Sequence, residues 1–229
     1  MGIVAKILEK KSKRAIGHIR DIFSSKADRE PQRDYPLGLH PNAILRFDPT
    51  DFILAGKELK LEFPTGDIAV SAIGEFRCFG VPFYRFYVKD LKDDEWILQV
   101  AGSREDLEVI LYQTLDEVYP DDWDFWLNDQ TGLIGFKDFQ TPDGIDYFRV
   151  LRNPGPDYVA PVEFQESITG GGESLVIDNA MMLYSREVPI AGDQLLNEYL
   201  LVSREEDEEG VMVRIMAGVP ISPVSLTIL

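Results

Sequence analysis

The segment 103–135 constrains the fold most, because it separates two stretches that carry β-strand patterns. Ser103 followed by Glu105 and Asp106 is typical of a helix N-terminus, where a hydroxyl cap and negative charge are favourable, and Pro120 is placed to end the helix. The apolar residues between them fall within an arc of roughly 140° at ~100° per residue, which predicts an amphipathic helix over 103–118 packed on a core. They are Leu107, Ile110, Leu111, Leu115 and Val118.

An acidic, aromatic connector follows this predicted helix. Its carboxylates and indole rings could form a cage for a cationic small molecule such as a polyamine, through ion pairing and cation–π contact. The alternatives are a solvated acidic loop and a pair of tryptophans that anchor the core. The spacing misses the calcium-loop pattern because an indole stands where a further ligand is needed. The candidate ligand-binding residues are Asp121, Asp122, Trp123, Asp124 and Trp126.

Residues 50–102 and 133–229 show the short alternating runs and turn signals of antiparallel strands. Together with the central helix over 103–118, they predict an α+β protein dominated by antiparallel β-sheet. The predicted organisation is a basic N-terminal segment, a linker and a β-rich body that consists of two related units joined by the helix and connector. The corresponding ranges are 1–29, 30–49 and 50–229, with units 50–102 and 133–229 joined by 103–132.

Three local patterns within the β-rich body allow more specific expectations. Leu59, Leu61 and Phe63 alternate with charged residues before a turn, which predicts the first strand of a hairpin. Arg85, within the aromatic run FYRFYV, faces a ligand, lies on a solvated face or pairs with a nearby carboxylate. The glycines 170–172 lack the Lys-Ser/Thr ending of a phosphate loop, so they predict a hairpin loop rather than a nucleotide site.

The N-terminal segment 1–29 differs in charge from the rest of the chain. It holds eight basic and three acidic residues, a net of +5, whereas the whole chain carries −17. Its pattern predicts a basic amphipathic helix that lies on an anionic membrane surface, docks into a partner's groove, or packs on its own acidic body. The candidate membrane- or partner-binding residues are Lys6, Ile7, Leu8, Lys10, Lys13, Arg14, Ile16, Ile19, Arg20 and Ile22.

Composition argues against several classes of function. One cysteine and two histidines leave too few ligands for a Cys/His metal site or a disulfide framework, and no cofactor motif is present. The acidic body should repel nucleic acid. No apolar run is long enough to span a membrane and no secretory signal is recognisable, so we expect a cytoplasmic protein. No grouping of residues predicts catalysis.

Four motifs resemble the YjfK-like bacterial family, a domain of unknown function. They are MLYSREVP from Met182, EYLLVS from Glu198, SPVSLTIL from Ser222 and WLNDQTGLIG from Trp126. The resemblance spans the body from about Leu37 onward and implies no catalytic residues. It does imply a context, because members tend to be encoded near phage-shock-type membrane-remodelling coat proteins, small membrane proteins and polyamine-ligating enzymes.

Two functional hypotheses follow. The first is a non-enzymatic accessory or interaction protein of a bacterial membrane-stress or envelope-maintenance system, cytoplasmic with possible peripheral contact at the inner membrane through its N-terminal helix. Its partner would then be a component of a phage-shock-type membrane-remodelling system. The alternative is a binder of, or enzyme for, a cationic small molecule such as a polyamine at the acidic connector.

Overall fold

A computed structural model describes residues 34–48, 50, 58–103, 106–151, 155–190 and 194–229. The predicted N-terminal helix, with its ten candidate binding residues, lies outside the described residues. The described residues form twelve strands that all pair antiparallel. Part of the segment expected to be a linker forms the first strand.

In chain order the strands are β1 (Ile44–Phe47), β2 (Asp67–Cys78), β3 (Val81–Lys89), β4 (Glu95–Ser103), β5 (Asp106–Val118), β6 (Asp138–Gln140), β7 (Asp146–Arg149), β8 (Val162–Gly170), β9 (Glu173–Ile190), β10 (Gln194–Asp207), β11 (Gly210–Pro220) and β12 (Leu226–Ile228). One short α-helix, α1 (Asp124–Leu127), lies in the connector. Two 3₁₀ turns cover Pro36–Gly38 and Pro223–Ser225.

Eight of the strands close into a ring. The pairings run in the order β2, β3, β4, β5, β11, β10, β9, β8 and return to β2. Two pairs of short strands extend this ring: β1 and β12 continue from one edge of β2, and β7 and β6 continue from one edge of β9. Strands from both halves of the sequence therefore lie in one continuous sheet.

Three apolar clusters form the core, one inside the ring and two outside it. The interior cluster draws residues from all eight ring strands, among them Phe76, Ile110 and Met216. A second cluster lies between β1 to β5, β11 and the segment around Leu61. A third lies between β9 to β11 and the connector with β6 and β7. Ring strands are consequently buried on both faces, and their sequences read as continuous apolar runs.

The predicted central helix is wrong, and with it the α+β class, because residues 106–118 form β5. Val109 and Leu111 point into the outer cluster, whereas Ile110 and Tyr112 point into the ring interior. A strand buried on both faces has apolar residues at consecutive positions, and such a run also fills a wide helical arc. The described part of the chain is an all-β fold with one four-residue helix.

The strand predicted at Leu59, Leu61 and Phe63 is also absent. The three side chains do pack on the outer cluster, as their alternation indicates. The backbone, however, meets side chains instead of a neighbouring strand: Glu62 N–H donates to Gln113 Oε1 (2.6 Å), and Trp96 Nε1 donates to the Glu62 carbonyl (2.8 Å). We call residues 58–63 the strap, because they cross the sheet over this cluster.

Candidate functional site

An open groove lies at one end of the ring, beside the place where β8 stops. β2 pairs through one edge with β1 at Asp67 to Ala69 and with β8 only from Ile73 onward. Between them a β-bulge at Ser71 shifts the register with β3. The inner face of the ring is therefore uncovered at this end, and a groove of about 730 Å³ opens there.

The floor of the groove is a row of side chains that crosses three neighbouring strands. Register places Ile44 of β1 beside Ala69 of β2, which lies beside Lys89 of β3. Leu229, just after β12, donates its N–H to the Ile44 carbonyl (2.9 Å) and extends the row. Ile44 and Leu229 are 40% and 59% exposed, so the row offers apolar surface to solvent.

The loop between β3 and β4 forms one wall and presents a leucine. The Asp90 carboxylate accepts N–H groups from Lys92 (2.7 Å) and Asp94 (3.0 Å), which fixes the loop as a tight turn. Leu91, at its tip, is fully exposed. A rigid loop that exposes a lone leucine beside an apolar groove is typical of an interaction surface, since an exposed leucine gains free energy only when a partner covers it.

Two of the three cations that line the groove, Arg46 and Lys89, are paired with carboxylates. Arg46 donates twice to Asp67, at 2.7 and 3.0 Å, and Lys89 lies 2.9 Å from Glu95. The hydrogen bond from Arg46 lowers the pKa of Asp67. Arg46 and Lys89 are therefore already compensated, and together with the apolar row this favours an apolar segment as the ligand of the groove.

The ring interior contains buried charged side chains that form ion pairs and hydrogen bonds with one another. Arg85 Nη1 lies 2.7 Å from Glu166 Oε2, Arg85 Nε donates to Gln99 (3.1 Å), and the Tyr87 hydroxyl donates to Glu166 Oε1 (2.7 Å). Burial lowers the pKa of Arg85 and the Glu166 carboxylate raises it, with a net rise that keeps the guanidinium charged. Burial also raises the pKa of Tyr87, so its hydroxyl remains a donor. Arg85 thus pairs with a carboxylate, one of the three roles expected of it, and its burial excludes the solvated face.

A second buried arginine faces the same interior. Arg214 Nε donates to Glu205 (3.0 Å), and Nη1 lies 3.2 Å from Glu117. The Nη2 atoms of Arg85 and Arg214 have no hydrogen-bond partner among the described residues. The two arginines and the three glutamates balance to within one charge, so this network does not form an anion site. The Arg85 group ties β3 to β4 and β8, and the Arg214 group ties β11 to its neighbours β5 and β10.

Another buried carboxylate, outside these two groups, anchors the strap. Glu198 is fully buried; its Oε1 accepts N–H groups from Lys60 (2.5 Å) and Leu61 (3.4 Å), and its Oε2 accepts from Tyr147 (2.9 Å) and Arg186 (2.7 Å). Both oxygens of this carboxylate thus accept hydrogen bonds from protein groups, and neither is directed at solvent.

The connector residues do not form a cage. Trp126 is 8% exposed and belongs to the third core cluster, against which Trp123 also packs. Asp121, Asp122 and Asp124 are exposed, and Asp122 accepts the N–H groups of Asp124 (3.0 Å) and Phe125 (3.4 Å) at the start of α1. Both tryptophan rings are thus engaged by protein, and binding of a cation here remains a prediction.

Sequence reasoning missed the groove. Two signals could have pointed to it: Leu91 is the only apolar residue in the charged loop KDLKDDE, and residues 221–229 carry no charge in a chain that is 28% charged. Within the described ranges, no group of three or more Asp, Glu, His or Cys side chains is arranged to hold a metal ion. The helical part of the same ranges includes nothing long and apolar enough to cross a membrane.

Comparison with known proteins gives one match. The model of a family described as "Protein of unknown function (DUF2491)" matches residues 11–227. No curated protein and no solved structure matches the chain. The matched range takes in the whole ring, the groove and most of β12.

Proposed function

We propose that this chain, which belongs to the DUF2491 family of proteins of unknown function, is a non-enzymatic interaction protein. Its groove binds an apolar segment of a partner protein. The observation that carries this proposal is the pair of Ile44 and Ala69 beside the exposed Leu91, all three of which line the groove. A groove of about 730 Å³ lies within the ~300–1,000 Å³ range of binding clefts. Its open side suits a few side chains of a helix or strand.

The buried network supports a binding role over an enzymatic one. The buried charged side chains, among them Arg85, Glu166, Glu198 and Arg214, make hydrogen bonds to other protein groups and lie inside the fold. A catalytic acid or base has to reach a substrate. In the described part of the chain, the accessible groove instead joins apolar side chains to paired surface charges.

The resemblance to the YjfK-like bacterial family supports a particular setting. It favours an accessory protein of a membrane-stress or envelope-maintenance system that is cytoplasmic and touches the inner membrane peripherally. A phage-shock-type membrane-remodelling coat protein is then the partner to test first. The basic segment 1–29, with a net charge of +5, would add attraction to anionic lipid.

Binding of the purified chain to a purified phage-shock-type coat protein, measured by calorimetry, tests the groove. Leu91→Asp should weaken binding at least about tenfold, since burial of one leucine contributes roughly 1.5–3 kcal/mol. Leu91 has no packing to lose, so the melting temperature should stay unchanged. Leu195→Asp is the matched control, because Leu195 is 59% exposed on β10, outside the groove. Equal affinities for both variants would remove the groove from the proposal.

The membrane part of the proposal needs its own experiment. Sedimentation with anionic liposomes should recover the full chain and lose it when residues 1–29 are deleted. Neutral liposomes serve as the control, because the expected attraction is electrostatic. If the deletion leaves liposome and partner binding unchanged, the N-terminal segment has no part in either.

A further inference from the structure

Two arginine side chains inside the ring each keep a donor group that no protein atom accepts. The Nη2 atoms of Arg85 and Arg214 are buried and have no hydrogen-bond partner in the part of the chain that the structure describes. The two side chains are 2% and 3% exposed, so neither is open to bulk solvent. A buried N–H group without an acceptor is strongly unfavourable, and ordered water is a common partner of such groups in native proteins.

The other nitrogen atoms of both arginines are already engaged. In Arg85, Nε donates to Gln99 (3.1 Å) and Nη1 donates to Glu166 (2.7 Å). In Arg214, Nε donates to Glu205 (3.0 Å), and Nη1 lies 3.2 Å from a second carboxylate. A guanidinium group is planar and rigid, so Nη2 cannot turn toward another acceptor without breaking these contacts.

The two guanidinium groups belong to one polar layer of the ring interior. Burial lowers the pKa of Arg85, whereas Glu166 and, from the other group, Glu205 raise it. Burial raises the pKa of Glu166, its hydrogen-bond donors lower it, and Glu205 raises it further. The carboxylate that holds Arg214 therefore lies within electrostatic reach of the Arg85 group.

The charge balance of this layer favours a neutral acceptor. Two positive and two negative side chains, each 4% exposed or less, lie there: Arg85, Arg214, Glu166 and Glu205. Glu117, which is partly exposed, adds a further negative charge. An added anion would therefore be buried without compensation. Water is neutral, accepts N–H groups and donates to carboxylates, and a buried water typically makes about three such hydrogen bonds.

We propose that the ring interior binds internal water at the Nη2 atoms of Arg85 and Arg214. Each water accepts a hydrogen bond from Nη2 and donates to a carboxylate oxygen of the same layer. Water thereby completes the hydrogen bonding of the two arginines. At this level the ring encloses a hydrated polar layer between apolar side chains, and the water forms part of the folded structure.

Nuclear magnetic resonance of the full chain with isotope-labelled arginine tests the proposal, through magnetisation transfer between guanidinium protons and water. The Nη2 protons of Arg85 and Arg214 should show cross-peaks to water. Arg149 is the internal control, because it is 2% exposed and all three of its nitrogen atoms donate to protein carbonyl groups, at 2.6–3.1 Å. Its burial also controls for exchange of guanidinium protons with solvent. Arg85→Lys and Arg214→Lys identify the signals.

A crystal structure of the full chain that resolves ordered water gives the geometry and needs no variant. A water oxygen should lie about 2.7–3.2 Å from each Nη2 atom. A direct bond from either Nη2 atom to a protein acceptor, or no ordered water beside it, overturns the proposal. Water cross-peaks of Arg85 and Arg214 that are no stronger than those of Arg149 overturn it as well. Residues of the groove take no part, so the result is independent of the groove proposal.

Discussion

The contact between Gly74 of β2 and Glu166 of β8 permits a sharp test of how the ring closes. A Cβ atom added at Gly74 would lie 1.9 Å from Glu166 Oε1, far inside contact distance. Gly74 is not among the glycines of positive φ, so alanine fits its backbone and the conflict is purely steric. Gly74→Ala must displace the carboxylate that holds Arg85 and Tyr87.

The structure sets the size of the effect. Glu166 is 1% exposed and has a partner at 2.7 Å on each oxygen. Removing it in Glu166→Ala leaves the Arg85 charge buried and uncompensated, which costs about 3–5 kcal/mol. Gly74→Ala should cost about 1–3 kcal/mol from overpacking. In the double variant the new methyl group enters space that the carboxylate has left. The destabilisation of the double variant should therefore be smaller than the sum of the two single costs by at least about 1 kcal/mol.

Urea unfolding of the four proteins measures this coupling. At a slope of roughly 2.5 kcal/mol per M, Glu166→Ala should lower the midpoint by about 1.5 M. Glu163→Ala is the control on the same strand, because Glu163 is exposed, and it should change stability by less than about 0.5 kcal/mol. Additive costs for Gly74→Ala and Glu166→Ala would refute the reasoning.

Three further predictions concern other parts of the fold. Glu198→Gln should weaken the anchor of the strap, so amide hydrogen exchange at Lys60 and Leu61 should accelerate while that of β3 stays slow; equal rates would show that Glu198 does not hold the strap. Burial raises the pKa of the Cys78 thiol, so Cys78 should react with a disulfide reagent only as urea unfolds the chain, and rapid native labelling would contradict its placement. The predicted binding of a cation at the connector requires spermidine at ~100 times its dissociation constant to add about 2.7 kcal/mol to the free energy of unfolding, and an unchanged melting temperature would contradict it.

Much of the sheet could be predicted from the sequence because strand alternation and turn residues are local signals. The hairpin loop at 170–172 is confirmed: β8 ends at Gly170, and Gly171 and Gly172 adopt φ of 58° and 83° before β9 begins. Such angles suit a two-residue hairpin turn and favour glycine. The runs FYRFYV and EWILQV lie in the neighbouring strands β3 and β4, as expected of two short apolar runs on either side of a polar loop.

The errors arose where tertiary structure decides between two readings of the same residues. In β5 the buried run Val109 to Tyr112 fits a helix or a doubly buried strand, and only the ring supplies the second apolar face. The strap has the alternation of a strand, but pairing depends on a neighbour that the local sequence does not specify. The groove depends on where β8 ends relative to β1, a distance between segments far apart in the chain.

The place where β8 ends explains why one fold can combine a closed interior with an accessible groove. A Cβ at Gly170 would lie 2.7 Å from Ala72 Cβ and from the Ser71 carbonyl, so β8 comes closest to β2 beside the bulge. Beyond that point the glycine turn leads into β9, and β8 no longer covers the inner face of β2 at Ala69. Inside the ring, Arg85 pairs with Glu166 and Arg214 pairs with Glu205, which leaves little chemistry for a ligand. The surface that remains for a partner therefore begins where the ring ends, and a bulkier residue at Gly170 should disturb the groove before it disturbs the interior.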